Sequence, residues 1–236
     1  MKGGLILKMT QARKKYWKVC AGQSLFCQNI IILTRLFRRM MIDLEKDCEM
    51  VVLSEEHIIA GFDCGNVDLN EFFNCDALEY KRQMLSQTCF FRHNSSKEIV
   101  CAFSFSASSI KTADLPGSRR KKVKEFFPRE KSLKSYPGIL VGRLGVSTKF
   151  SGQGTGSQLI DIIKDFCLYN FPDFVRFLFV DAYNEPAVIR FYQKNKFTSV
   201  FSTEEQEKET YRQSPNESLQ TRYMFYDLIQ RRNRFL

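Results

Sequence analysis

The sequence predicts an α/β domain, and three observations predict it. Short apolar runs at residues 88–92, 99–109, 139–147 and 174–182, rich in Phe, Val and Ile, have the length and composition of strands. Residues 155–169 place Leu159, Ile160, Ile163, Phe166 and Cys167 on one helical face. Strand and helix patterns then alternate from Met50 to Leu228, within the size of one ordinary domain.

Taken in order, residues 49–53 form a first strand. Asp68, with Glu71 three residues on, has the pattern of a helix start. Leu69, Phe72, Phe73, Asp76 and Tyr80 continue it at near-helical spacing to about Met84. Strands 88–92 and 99–109 are joined by the turn-rich His93-Asn-Ser-Ser-Lys97. A polar, basic connection runs over 111–136, interrupted by Pro116, Gly117 and Pro128. Beyond it come strand 139–147, helix 155–169, strand 174–182, helix 185–195 and a short strand 197–201. A charged loop over 202–220 leads to a last strand, 221–228.

Residues 1–49 read as a basic, poorly ordered N-terminal extension, 50–229 as the folded domain and 230–236 as a basic tail. The extension is also rich enough in Arg and poor enough in acids to suit a transit peptide, although Ser is scarce. Nine of the 36 Lys and Arg residues lie in 1–40, where there is no acid; the other 27 face 26 acids. The net charge of +10 therefore says little about the folded part's partner. Eight cysteines occur without a C-x-x-C pair, and with only His57 and His93 beside them no metal site is expected. No apolar run reaches the ~20 residues of a membrane helix. With no clear secretory pattern, a cytoplasmic protein with reduced thiols is expected.

The chemistry concentrates at Leu140-Val-Gly-Arg-Leu-Gly-Val146 and the Ser151-Gly-Gln-Gly-Thr-Gly-Ser157 that follows. Three alternating glycines before an amphipathic helix leave backbone N–H groups unobstructed. They meet the unsatisfied donors and positive dipole end of a first helical turn, a socket suited to a pyrophosphate. Thr155 and Ser157 add hydroxyls. A Walker loop needs Gly-Lys-Ser/Thr, but Ser157 follows Gly156. A dinucleotide fingerprint needs its third glycine one residue later and an acid ~20 residues on, whereas Asp181 lies farther away. A ligand-free glycine turn is the plain alternative.

This strand, S-G-Q-G-T-G-S loop and helix resemble the acetyl-CoA-binding motif of the GNAT superfamily of N-acetyltransferases, Q/R-x-x-G-x-G/A. Val180-Asp-Ala-Tyr-Asn-Glu-Pro-Ala-Val-Ile-Arg-Phe-Tyr-Gln-Lys-Asn-Lys-Phe197 resembles the family's next motif, in the expected order and distance. The resemblance implies a mixed sheet splayed near 139–146 and flanked by helices. It implies acetyl-CoA as co-substrate, with Leu144, Gly145 and Val146 along the pantetheine arm. Ser151, Gly152, Gln153, Gly154, Thr155, Gly156 and Ser157 would lie at the pyrophosphate. A strand N–H near Val146 would meet the oxyanion, and Tyr192 would be the general acid. The alternative to that role for Tyr192 is core packing with Phe191 and Phe197, while Asn184 suits either the pantetheine or a helix-entry turn. No general base stands out among Glu185, Glu98 and His57.

Phe62-Asp-Cys-Gly-Asn-Val-Asp-Leu-Asn-Glu-Phe-Phe73 resembles the opening of GNAT toxins of bacterial toxin–antitoxin modules, which acetylate the amino acid on charged tRNA. That resemblance implies a primary amine acceptor such as aminoacyl-tRNA and allows an antitoxin partner; a homodimer is a further candidate, since the sequence does not disclose the oligomeric state. Arg119, Arg120, Lys121 and Lys122 are candidates for tRNA phosphate contact, or a solvated face. Two positions depart from the family: Ser151 replaces Gln or Arg, and Lys196 replaces the glycine after the second helix. The non-catalytic alternative they allow is a degenerate GNAT domain that binds CoA or a partner protein.

Overall fold

The computed structural model describes residues 42–111, 113, 115, 117, 120–121 and 134–233. A short helix α1 (Leu44–Asp47) leads into β1 (Cys48–Val52). A helical segment follows as α2 (Val67–Glu71), a π-helical turn (Phe72–Asp76) and α3 (Ala77–Arg82). Next come β2 (Gln87–His93), β3 (Ile99–Lys111), β4 (Ser135–Val146), a 3-10 turn (Thr148–Phe150) and α4 (Thr155–Asn170). The rest is β5 (Phe177–Tyr183), α5 (Pro186–Lys194), β6 (Thr198–Ser199), α6 (Glu204–Tyr211), β7 (Thr221–Asp227) and α7 (Ile229–Arg232).

The strands form one mixed sheet in the order β1-β2-β3-β4-β5-β7-β6. β4 and β5 run parallel, which requires a crossover, and α4 supplies it. Both faces are covered. Cys89, Phe91, Phe103, Val141, Leu178 and Val180 pack with Leu159, Ile160 and Ile163 of α4. Phe90 and Ala102 pack on the opposite face with Phe62, Leu69, Phe72 and Phe73. Two covered faces explain why the strands read as unbroken apolar runs rather than as alternating ones.

Two irregularities shape the centre. β4 and β5 pair only from Gly138↔Phe177 to Val141↔Val180; beyond that β4 runs on to Val146 and β5 to Tyr183 without bridging. The sheet is splayed there, within the stretch the sequence indicated. In addition, Ser104 pairs with Arg143 but Phe105 with Val141, so Gly142 is an extra, bulged residue. A one-residue shift exchanges the faces of a strand. Ile139 and Val141 point to the α4 side before the bulge, Leu144 and Val146 after it. Arg143 and Gly145 thereby turn to the α2 side: the Arg143 guanidinium lies over the Phe72 ring, and a Cβ on Gly145 would stand 3.1 Å from Phe62 and Cys64.

Several expectations need correction. Ile42 and Leu44, assigned to the extension, are buried in the core, and α1 is tied to α4 through Gln158, which bonds Leu44 N and Ile42 O. Residues 42–49 thus belong to the packed unit rather than to the extension; residues 1–41 lie outside the described residues. In the tail, Arg231 of α7 pairs with Asp165 and Asp161 of α4. The α2 cap is Asn66, whose Oδ1 accepts from Leu69 N, and Asp68 sits in the first turn. The π-turn admits one extra residue, so that adjacent Phe72 and Phe73 are both buried. The predicted loop 202–220 contains α6, which has too little apolar periodicity to be read as a helix. Buried Glu207 holds it instead, accepting from Arg222 Nε at 2.7 Å and Tyr223 N at 2.6 Å. The short strand shrinks to β6 because Phe197 closes α5, its N–H bonding Tyr192 O, with Lys196 left-handed at φ +70°.

Candidate active site

The glycine loop between the 3-10 turn and α4 is held from below. Thr148 N–H donates to Asp63 O at 2.9 Å, Ser151 Oγ to Thr148 O, and Thr155 Oγ1 to Phe150 O at 2.9 Å. Gly152 (φ +73°) and Gly154 (φ +84°) are left-handed, and Gly154 caps α4 with no side chain. Among the described residues, the amides of Gly152, Gln153, Gly154, Thr155 and Gly156 have no hydrogen-bond acceptor; Ser157 N–H returns to Gly154 O. These donors cap a 16-residue helix whose dipole adds positive charge at the same point. The loop surface is exposed, while Thr155 is buried with its hydroxyl already committed, so Thr155 contributes its amide alone. Ser157 Oγ accepts from Asn195 Nδ2 and keeps its proton free to donate.

Upstream, the β4 ladder decides which amides are available. Ser147 N–H donates to Val100 O of the strand β3 edge, and antiparallel pairing alternates. Gly145 and Arg143 therefore bond toward β3, while the peptide groups of Leu144 and Val146 point into the splay. Leu144 and Val146 offer a free strand edge; Gly145, grouped with them from sequence, instead supplies space for Phe62 and Cys64.

The splay opens into a cleft of about 490 Å³ lined by Val141, Gly142, Arg143 and Leu144 of β4, by Asp181, Ala182 and Tyr183 of β5, and by Val188, Phe191 and Tyr192 of α5. Asn66, the cap of α2, Asp68 and Leu69 of α2, Glu185 and Thr221 complete the lining. Leu144 borders this cleft together with Tyr192 and Val146 does not, so of the two outward amides that of Leu144 belongs to the cleft wall. Tyr192 is buried against Phe191 and Phe197 and also lines the cleft, so it packs and faces the cavity together. Burial, and then the charge of Asp181, push its phenol well above the usual tyrosine range.

Asp181 and Tyr183 share the β5 face of Phe177 and Phe179, away from α4 and α5. Asp181 opens onto the cleft, yet the surrounding protein desolvates its carboxylate and raises its pKa; Glu207 adds repulsion and Arg143 opposes both. Tyr183 donates to Asp68 Oδ2 at 2.7 Å, and its phenol is raised to about 12, by burial first and then by Asp68.

Asn184 turns out to be a tether: its N–H and Nδ2 donate to Gln220 O and Leu219 O, fixing the chain before β7. Of the candidate bases, Glu98 pairs with Lys149 and His57 with Ser54, both away from the cleft, while Glu185 lines it. Arg120 and Lys121 are exposed; Arg119 and Lys122 lie outside the described residues. Among the described residues no three His, Cys, Asp or Glu side chains are placed to hold a metal, and no helix is long and apolar enough to cross a membrane. Sequence reasoning missed Arg143 and Asp181 as site residues. The available signal was a charge inside the apolar run Phe177-Leu-Phe-Val-Asp-Ala-Tyr183.

No family model matches the sequence. Among solved structures, the chain is similar to a bacterial toxin at 18% identity, covering 80% of this chain and 94% of that one, with a TM-score of 0.59. It is similar to AtaT complexed with acetyl-methionyl-tRNAfMet at 19% identity, covering 80% and 100%, with a TM-score of 0.59. A mutant of the toxin AtaT bound to the C-terminus of the antitoxin AtaR and acetyl-CoA matches at 17% identity, covering 80% and 99%, with a TM-score of 0.53. The chain has the GNAT fold, in the form these toxin structures share.

Proposed function

We propose that the protein is an acetyl-CoA-dependent N-acetyltransferase acting on a primary amine, with charged tRNA as the first acceptor to test. One observation carries the proposal: unpaired amides at Gly152–Gly156 lie at the start of α4, beside a β4 edge that runs into the Tyr192 cleft. The amides hold the pyrophosphate, and the peptide groups of Val146 and Leu144 bond the pantetheine arm as an added strand would. The thioester then reaches the cleft, where Leu144 N–H stabilises the oxyanion of the tetrahedral intermediate.

Tyr192 donates its proton to the departing thiolate. Its raised pKa keeps the phenol protonated through the neutral range, and the same desolvation raises the thiolate's proton affinity. Similarity to AtaT, solved with an acetylated charged tRNA and with an antitoxin peptide, supports tRNA and antitoxin as partners. Exposed Arg120 and Lys121 are proposed phosphate contacts. Ser151, whose hydroxyl is spent on Thr148 O, and the strained Lys196 are the features that favour a CoA-binding domain without turnover.

Thioester consumption measured against a panel of small amines and aminoacylated tRNAs separates the two. Acetyl-CoA consumed in step with an acetylated amine supports the enzyme. Tight binding with no product from any acceptor supports the silent domain.

A further inference from the structure

We infer that Asp181, which faces the same cleft as Arg143 across the splay, accepts the proton of the incoming amine. The inference deepens the acetyl transfer proposed above and rests on it. With the phosphates at the start of α4 and pantetheine along β4, the cofactor fills the α4 and α5 side of the sheet. The acceptor must therefore enter from the other face, between α2 and the splayed ends of β4 and β5.

That entrance carries four charged or titratable side chains besides Asp181. Tyr183 and Asp68 are bonded to each other. Arg143 stacks over Phe72 and donates from Nη1 to Gly142 O, while its buried Nε has no hydrogen-bond partner. Glu185 also lines the cleft. On the neighbouring strand β7, Tyr223 stands directly across from Asp181 on the same face; Glu207 is occupied by Arg222 and the Tyr223 amide, and the Tyr223 and Tyr192 phenols lie near enough to feel the Asp181 charge.

Asp181 stands apart from all of these: it makes no hydrogen bond or ion pair with any described residue. Asp181 is exposed to the open cleft although the protein around it raises its pKa, so its carboxylate is both accessible and without a protein partner, free to meet an incoming cation. An amine is such a cation, because at neutral pH it arrives as an ammonium. The Arg143 guanidinium opposes that rise and holds the Asp181 pKa lower than desolvation alone would.

The docked ammonium releases one proton to solvent, and the amine nitrogen bonds the acetyl carbonyl carbon. The C–S bond breaks, sulfur leaves with the electron pair and takes the Tyr192 hydroxyl proton. The proton shed by nitrogen passes to Asp181 and returns through water to the tyrosinate. Amine and thioester become amide and thiol.

The test is the pH profile of kcat/KM for wild type, Asp181→Asn and Arg143→Ala. Methionine methyl ester and aminoacylated tRNA serve as acceptors, and acetyl-CoA affinity is measured alongside by calorimetry. Asp181→Asn should lower kcat/KM about 10²- to 10⁴-fold, the usual reach of a general base, with acetyl-CoA affinity changed less than about twofold. Arg143→Ala should move the acidic limb to higher pH, which loss of packing alone would not do. The asparagine is isosteric, and its melting temperature shows directly whether it is folded. An Asp181→Asn rate within about threefold of wild type, or an Arg143→Ala limb that stays put, overturns the assignment. If wild type consumes no acetyl-CoA with either acceptor, acetyl transfer fails and Asp181 with it; wild-type turnover beside a fully active Asp181→Asn sinks the Asp181 role alone.

Discussion

Replacing Gly152 by alanine separates backbone conformation from steric contact in the glycine loop. A Cβ there meets no atom within 4 Å, so the methyl group itself displaces nothing. What changes is the torsion: φ is +73°, and a residue with a Cβ in the left-handed region costs about 1–2 kcal/mol. That cost has two places to go. If the loop keeps its shape, the folded state loses about 1–2 kcal/mol, a fall of roughly 2–8 °C in Tm for a domain of this size, with acetyl-CoA affinity intact. If the loop relaxes to negative φ, Tm is preserved and the cofactor must restore the strained form on binding, which weakens Kd by about 5- to 30-fold. Thermal denaturation and calorimetry on the same sample measure both quantities. A variant with Tm within about 1 °C and Kd within about twofold of wild type would refute the conformation assigned to the loop and its part in binding.

Tyr192→Phe removes only a hydroxyl from a packed ring, so acetyl-CoA affinity should hold while kcat falls about 10²- to 10⁴-fold in a thioester assay. Full activity across pH would remove Tyr192 as the acid. Lys196→Gly relieves a left-handed C-terminal residue and should raise stability by about 1 kcal/mol in denaturant unfolding. Asp181→Asn should melt higher than wild type at neutral pH. The folded carboxyl pKa is raised, so ionising it costs stability above that pKa, and the difference should vanish as pH falls below the unfolded value. A lower Tm for the asparagine at neutral pH would contradict the desolvation of that group.

Much of this architecture is visible in local sequence because local chemistry specifies it. Alternating glycines before Leu159, Ile160 and Ile163 announce both the loop and α4. The apolar runs of β2, β3 and β5 announce a sheet covered on both sides. Other features are set by contacts between distant segments, and these were hidden. α6 is held by the Glu207–Arg222 pair rather than by an apolar stripe, although Thr203 and Gln206 form a legible cap. The bulge at Gly142 depends on register with β3, so nothing nearby in the chain reveals that Arg143 faces the cleft or that Gly145 bonds away from it. Asn184 looked equally suited to cofactor or turn, and only the position of Leu219 shows how its amide is used. Ile42 and Leu44 belong to the core through Gln158, more than a hundred residues away in sequence.

The most direct measurement compares calorimetric titrations of acetyl-CoA and S-acetylpantetheine, which shares the thioester arm but lacks the diphosphate. Donors at Gly152–Gly156 aimed at that diphosphate require acetyl-CoA to bind at least about 100-fold more tightly, roughly 2.7 kcal/mol, and Gly152→Ala to leave the weaker ligand unaffected. Equal affinity for the two ligands, or no binding of acetyl-CoA, would contradict it.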